Sequence, residues 1–174
     1  QGILNVPDEV KVGLGRTGLM HAFRHEGFTP DLICLGKGLG GGLAISALIG
    51  PRAIMDHATA FAVQTLHGNP VSVAAASAVL RTIRSENLAE NAADVGAYLL
   101  QQLAALKHRH PAIGDVRGRG LAIGIELVSD RAAKTPAKTM AAKAVFRAFE
   151  LGLVLYYVGV NSNVLDLTPP LILT

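Results

Sequence analysis

The sequence predicts an α/β fold, and three observations carry that prediction. Three short apolar segments near the N-terminus are joined by glycine-rich loops, the pattern of buried strands in a sheet core. Between residues 70 and 109, apolar residues recur every three or four positions, as on helices that bury one face. Beyond residue 111, short strand patterns surround one further helical pattern. The composition agrees: 50% of the 174 residues are hydrophobic, 19 are glycine, and aromatics make up only 5% with no tryptophan. That supplies a core and tight turns rather than an aromatic-rich binding surface.

Residues 2–12 read as a strand that runs into a loop, with Pro7 poorly suited to a central strand. Glycines 13, 15 and 18 follow, then a short helix over residues 19–26. Asp31 to Leu35 forms the second strand, Gly36 to Gly42 a second glycine-rich turn, and Ile45 to Ile49 the third strand. Asn69-Pro70 is a helix start, because Asn caps orphan N–H groups and Pro suits the first helical position. A helix then runs from Val71 to Arg84. A second helical segment covers residues 86–109, its apolar face carrying Leu88, Ala92, Val95, Leu99, Leu103 and Leu106 until Pro111 ends it. The style changes there, which places a domain boundary near residue 111. Asp115 to Gly120 leads into a strand from Leu121 to Val128, a helix spans Thr139 to Leu151, and strands lie near Leu153–Tyr157 and Val164–Leu167.

Several function classes are disfavoured at once. The net charge of +3 is spread along the chain without a basic run, so the electrostatic footprint of a nucleic-acid binder is absent. One cysteine, Cys34, allows no internal disulfide and suits a reducing compartment, so the cytoplasm is expected. No apolar stretch reaches the ~18 residues of a membrane span, and no secretory leader opens the chain. The first residue is not Met, and the chain reads as a piece of a longer protein.

The motifs each admit a dull reading beside a functional one. Gly13-x-Gly15-x-x-Gly18 matches a dinucleotide-binding loop, but the strand that should end in a ribose-binding acid ends in Gly36-Lys37. A nicotinamide-binding oxidoreductase domain therefore stands only as an alternative, beside an inert fragment. Gly36-Lys37 also fails as a phosphate-binding P-loop, since Asp31 and Gly38 occupy positions that need Gly and Ser/Thr. His21 and His25 share a spacing that suits a metal, yet no third ligand accompanies them, and no metal site is expected. Lys37 follows an apolar strand and sits among glycines. A lysine in an apolar, partly desolvated site has a lowered pKa and can form a Schiff base; the dull reading is an ordinary surface lysine in a loop. Asp8 ends the first strand and either caps a turn or lies beside Lys37 across a sheet. An Asp that keeps a pyridine nitrogen protonated, together with a Schiff-base lysine, is the pairing that pyridoxal phosphate (PLP) chemistry requires.

Three stretches then fall together in order: Asp8-Glu9-Val10-Lys11-Val12-Gly13-Leu14-Gly15-Arg16-Thr17-Gly18, Pro30 through Gly42, and Gln64-Thr65-Leu66-His67-Gly68-Asn69-Pro70. With Arg119-Gly120-Leu121 and Pro169-Pro170-Leu171, they resemble the class III PLP-dependent aminotransferase family over the whole chain. The resemblance implies a C-terminal piece of such an enzyme. Residues 1–110 would be part of the fold-type-I large domain, a mainly parallel sheet with helices and a connecting helix. Residues 111–174 would be an incomplete, smaller α+β domain. It implies PLP as cofactor, Lys37 as the residue that bonds it, Asp8 on its pyridine nitrogen, Val10 against its ring and Lys11 near its phenolic oxygen, where many members carry Gln. It further implies a homodimer with shared sites, in which Thr65 reaches the phosphate held by the neighbouring subunit. The expected substrates are small amino acids, amines or amino-acid amides, with no membrane or nucleic-acid partner. The family-like positions also include Asp166, where many members place an Arg that clamps a carboxylate. An Asp there implies a substrate that lacks a free carboxylate, such as an amide or lactam, or one that docks its carboxylate elsewhere; the resemblance leaves racemisation open beside transamination.

Overall fold

The computed structural model describes residues 2–58 and 64–174. The chain divides into two compact units, Gln1–Glu90 and Asn91–Thr174.

In the first unit, β1 (Ile33–Leu35) is flanked on both sides. On one side runs the extended N-terminal segment, joined to it by a parallel bridge between Asp8 and Cys34. The amides of Asp31, Leu32 and Cys34 donate to Asn5 O and Pro7 O, and Glu9 N donates to Cys34 O. Pro7 fits here because only its carbonyl is used; its missing N–H is not asked for. On the other side, β2 (Ala47–Ile49) pairs antiparallel, with Cys34 opposite Leu48.

The expected mainly parallel sheet is therefore mixed among the described residues. The connection over residues 9–32 is long enough to cross over and return parallel, whereas the glycine-rich turn after Leu35 simply reverses the chain. Residues 22–26 form a 3-10 helix (Ala22–Glu26), and a second one, Lys37–Gly40, follows β1. A short α1 (Arg52–Met55) comes after β2. Helix α2 (Pro70–Ser85) starts where expected: Asn69 Oδ1 accepts from Val71 N at 3.0 Å and Ser72 N at 3.2 Å. It packs on the second glycine-rich turn, where a Cβ on Gly41 would lie 3.0 Å from Val79 Cγ2. Leu14, Leu35, Leu39, Ala76 and Ile83 are buried in this unit.

Helix α3 (Leu88–Arg109) contains the division between the units. The sequence boundary near residue 111 marks the end of this helix, but the units separate near its start. The reason lies in what the helix touches: Asn91 Nδ2 donates to Leu171 O and Leu173 O, and Gly96 lies so close to Gly120 that a Cβ would collide with its backbone.

The second unit is built on an antiparallel sheet of β3 (Ile113–Arg119), β4 (Ala122–Asp130), β7 (Val164–Leu167) and β6 (Tyr156–Val158), in that order. A two-residue β5 (Thr135–Pro136) pairs with β4. Along β4, Ile123, Ile125 and Leu127 alternate into the core. Ile125, Leu127 and Leu165 meet Ala137 and Ala141 at the start of α4 (Lys138–Glu150), with Leu103 and Val145 packed against them. Asn163 is buried and works as an extra ladder residue: its O accepts from Leu127 N and its Nδ2 donates to Leu127 O, both at 2.8 Å. Arg131 Nη2 lies 2.8 Å from the carbonyls of Lys107, His110 and Ile113, and so ties down the end of α3. On the sheet, Lys107 pairs with Asp115 at 3.0 Å, and Arg117 bridges Asp115 and Glu126 at 3.1 and 2.6 Å.

Candidate active site at the end of strand β1

Asp8 and Lys37 emerge at the same end of neighbouring strands. Asp8 bridges Cys34 in parallel, and Lys37 lies three residues further along β1's direction. In parallel pairs, the carboxyl ends of strands are where α/β sheets collect ligand-binding groups. Both side chains are exposed. Asp8 also caps a turn, since its Oδ1 accepts from Val10 N at 3.0 Å. The two readings of Asp8 are thus compatible: the turn bond occupies one oxygen and orients the carboxylate.

Lys37 has φ +45, a left-handed conformation that a side chain seldom adopts. Such strain, of order 1–3 kcal/mol, persists where the surroundings over-determine the backbone and is found at functional positions. Gly36 supplies part of that constraint. Its backbone packs on Val10, and a Cβ at Gly36 would stand 3.2 Å from Val10 Cγ1. Val10 therefore lies against the chain immediately before Lys37. Beyond Lys37, nothing lies within 4 Å of where a Cβ of Gly38 would project. An exposed amine, a carboxylate on the adjacent strand, an apolar side chain against Gly36 and open space at Gly38 form a set that fits a planar, cationic heterocycle bearing an aldehyde.

The remaining sequence candidates lie elsewhere in the chain. Lys11 is exposed in the turn that follows Val10. Thr65 is exposed in the turn that precedes the Asn69 cap of α2. Asp166 sits on β7 in the second unit, opposite Gly124 and Tyr156.

The glycines at 13, 15 and 18 do not form a dinucleotide loop. That motif needs a helix to open directly on the glycines. Here they turn tightly, with Gly13 N donating to Glu9 O and Gly15 N to Met20 O, and the next helical residue is Ala22. His21 and His25 also separate. His25 Nε2 donates to Thr17 O at 3.1 Å, while His21 stacks on Phe23. No cluster of three or more His, Cys, Asp or Glu suited to a metal occurs among the described residues.

One residue of the site was missed by sequence reasoning. Glu9 is only 2% exposed, and its carboxylate accepts from Ala22 N at 2.8 Å and Phe23 N at 2.9 Å. Glutamate is seldom buried without partners, and these partners lie across a loop that no local pattern predicts. His21 Nδ1 is 3.7 Å from Glu9 Oε2 and makes no hydrogen bond. Burial lowers the His21 pKa from 6.5, more than the Glu9 carboxylate raises it, and Arg24 adds to the lowering. A neutral imidazole leaves the Glu9 oxygens to the two amides.

Comparison with known proteins shows the family. The family model described as aminotransferase class-III matches residues 1–174. An alanine/serine racemase of Pyrococcus horikoshii is 46% identical over 99% of this chain and 36% of its own length. The 4-aminobutyrate aminotransferase of Escherichia coli is 39% identical over 98% of this chain and 40% of its own. Among solved structures, an amine transaminase from an uncultivated Pseudomonas species, in its PLP-bound form, superposes with a TM-score of 0.90. It shares 37% identity over 99% of this chain and 41% of that one. The chain thus spans well under half the length of these relatives.

Proposed function

Because this chain belongs to the class-III aminotransferase family, we propose that it forms the lysine-bearing part of an enzyme that uses PLP to act at the α-amino carbon of a small amine substrate. The observation that carries this reading is the placement of Asp8 and Lys37 at one sheet end, with Val10 against Gly36. Lys37 would hold the cofactor through a Schiff base, and Val10 would pack against its ring. Asp8 keeps the pyridine nitrogen protonated. Lys11 lies toward the phenolic oxygen, and Thr65 serves the phosphate of a second subunit in a homodimer. The bound cofactor supplies an electron sink for the bond to the α-hydrogen. Freed of that link, Lys37 would be the base that takes and holds this proton at its Nζ. Inversion would need a second acid on the opposite face of the substrate, and transamination would not. Residues 1–110 would contribute to the large cofactor-binding domain with its connecting helix, and residues 111–174 to a smaller, incomplete C-terminal domain. A cytoplasmic enzyme is the setting we favour. Among the described residues no helix is long and apolar enough to cross a membrane.

Asp166 favours an uncharged substrate, because a carboxylate there repels a carboxylate and cannot clamp it. The wording around Asp8, His25, Thr65 and Tyr156 resembles α-amino-ε-caprolactam racemase, which points to amino-acid amides and lactams.

The test uses the full-length protein with PLP and one enantiomer of an amino-acid amide, followed by chiral chromatography with and without a 2-oxo acid. Inversion without the oxo acid is the expected result. Conversion only with the oxo acid makes the enzyme a transaminase. No turnover of amides beside good turnover of free amino acids removes Asp166 as the marker of substrate class. The Lys37→Ala variant of the same protein is expected to lose the borohydride-reducible link to the cofactor, and a retained link overturns the lysine assignment.

A further inference from the structure

We infer that Glu9 is a positioning residue for the Asp8 carboxylate, acting as a buried bolt between the end of the first strand and the 3-10 helix that begins at Ala22. The inference rests on the proposed role of Asp8 and concerns what holds Asp8 in place.

Glu9 is anchored at four points. Its backbone N–H donates to Cys34 O at 3.0 Å, and its backbone carbonyl accepts from Gly13 N at 2.9 Å. Its two carboxylate oxygens accept separately from Phe23 N and Ala22 N. Gly13 is moulded to this arrangement. A Cβ there would lie 2.7 Å from Glu9 O and 2.9 Å from Glu9 Oε2. By contrast, the Asp8 side chain is exposed and holds a single bond, to Val10 N.

That bond spans Glu9. An Asx turn keeps its shape only while the intervening residue keeps its backbone angles. Asp8 is therefore fixed by Pro7 O and Glu9 N on either side, through their bonds to β1, and by the Val10 amide in front. The last two, the Glu9 N–H and the Val10 amide, depend on Glu9 staying where its carboxylate is held. Exposed groups on strand ends otherwise sample several rotamers, and a site that must hold a proton at one ring atom needs its acceptor preorganised. Burial makes the bolt firm, since an anion this enclosed is costly to leave without its two amide donors. The first 3-10 residues gain in return, because those two N–H groups have no partner within the helix.

The test uses the full-length protein loaded with PLP. In Glu9→Gln the side-chain amide keeps the volume but sets an N–H against one of the two backbone donors. Expected are about tenfold weaker retention of PLP in equilibrium dialysis, on the scale by which losing an outer orienting partner weakens a bound metal, a shifted pH titration of the cofactor's visible band, and reduced circular dichroism in that band. Borohydride should still fix PLP to Lys37. Ala22→Pro provides a second route, since it deletes one donor while sparing the carboxylate. His21 is already extended at φ −129 and ψ 131, the conformation that precedes a proline. It should move the same readouts in the same direction by less. Asn163→Ala, a destabilising change in the other unit, should lower the melting temperature and leave the cofactor signals unchanged. Wild-type affinity, titration and dichroism in both Glu9→Gln and Ala22→Pro overturn the inference. Equal changes in Asn163→Ala overturn it too, because they reduce the effect to general destabilisation. Failure of the wild-type protein to fix PLP at Lys37 removes the underlying reading of the site instead, and is seen without any Glu9 variant.

Discussion

A methyl group at position 13 has nowhere to go. It would press on the carbonyl and the carboxylate of Glu9 at the same time, and the carbonyl is backbone that cannot rotate away. Gly13→Ala is expected to destabilise the full-length protein by about 1–3 kcal/mol, the usual cost of forcing bulk into a packed site, as read from urea unfolding. An unchanged midpoint would mean that the loop relaxes more freely than its hydrogen bonds suggest. At this scale the sequence was only partly legible. Lys37 and Asp8 stood out because their chemistry is rare beside glycines and at strand ends. Glu9 did not, because its partners at Ala22 and Phe23 are set by the path of a loop. His21 and His25 suggested a shared helical face, but His21 precedes the 3-10 helix in extended backbone and His25 turns to Thr17.

Among the elements, those specified by local chemistry were the ones read from the sequence. Helix α2 begins at Pro70 because Asn69 offers its oxygen to two orphan amides and Pro70 has no N–H to orphan. Asn69→Ala is expected to cost about 1 kcal/mol, measured as a shift in the unfolding midpoint, with Asn69→Asp or Asn69→Ser recovering most of it. Strand β7 lies where the sequence placed a strand, at Val164–Leu167. Strand direction was not legible, because pairing joins residues distant in sequence: nothing near Leu35 says that β2 returns antiparallel while the N-terminal segment runs parallel. The charged face of the second sheet yields a pH prediction. Asp115 is held below the ordinary 3.8 of its carboxyl by the hydrogen bond from Lys107 first; burial opposes this, and Arg117 lowers it further. A lowered carboxyl contributes stability that is present above 3.8 and is lost as pH falls through its lowered folded value. The melting temperature should drop as pH falls below 3.8, and Asp115→Asn should flatten that part of the profile.

For the molecule as a whole, the α/β class and the family were legible, and the division into units was not. The break in sequence style at Pro111 reports where a helix stops, whereas the unit boundary reports what that helix packs against. The chain covers 36–41% of the relatives described above, and large apolar side chains remain exposed in each unit. Ile3, Leu66 and Val71 do so in the first, and Phe146, Phe149, Tyr156 and Val160 in the second. Contiguous exposed apolar area on a protein surface signals an interface. The isolated 174-residue polypeptide is therefore expected to bind a hydrophobic dye several-fold more strongly per mole than the full-length protein. Equal dye binding would mean that these side chains stay open to water in the whole protein.

The left-handed backbone at Lys37 bears on how this sequence can drift. Glycine is the residue that such a conformation favours, since it has no Cβ to crowd the following carbonyl. Its neighbours are already glycines at 36 and 38. A lineage released from the need for an amine at this position would gain stability by completing that run, through two base changes in either lysine codon. The lysine thus opposes the local preference of its own loop.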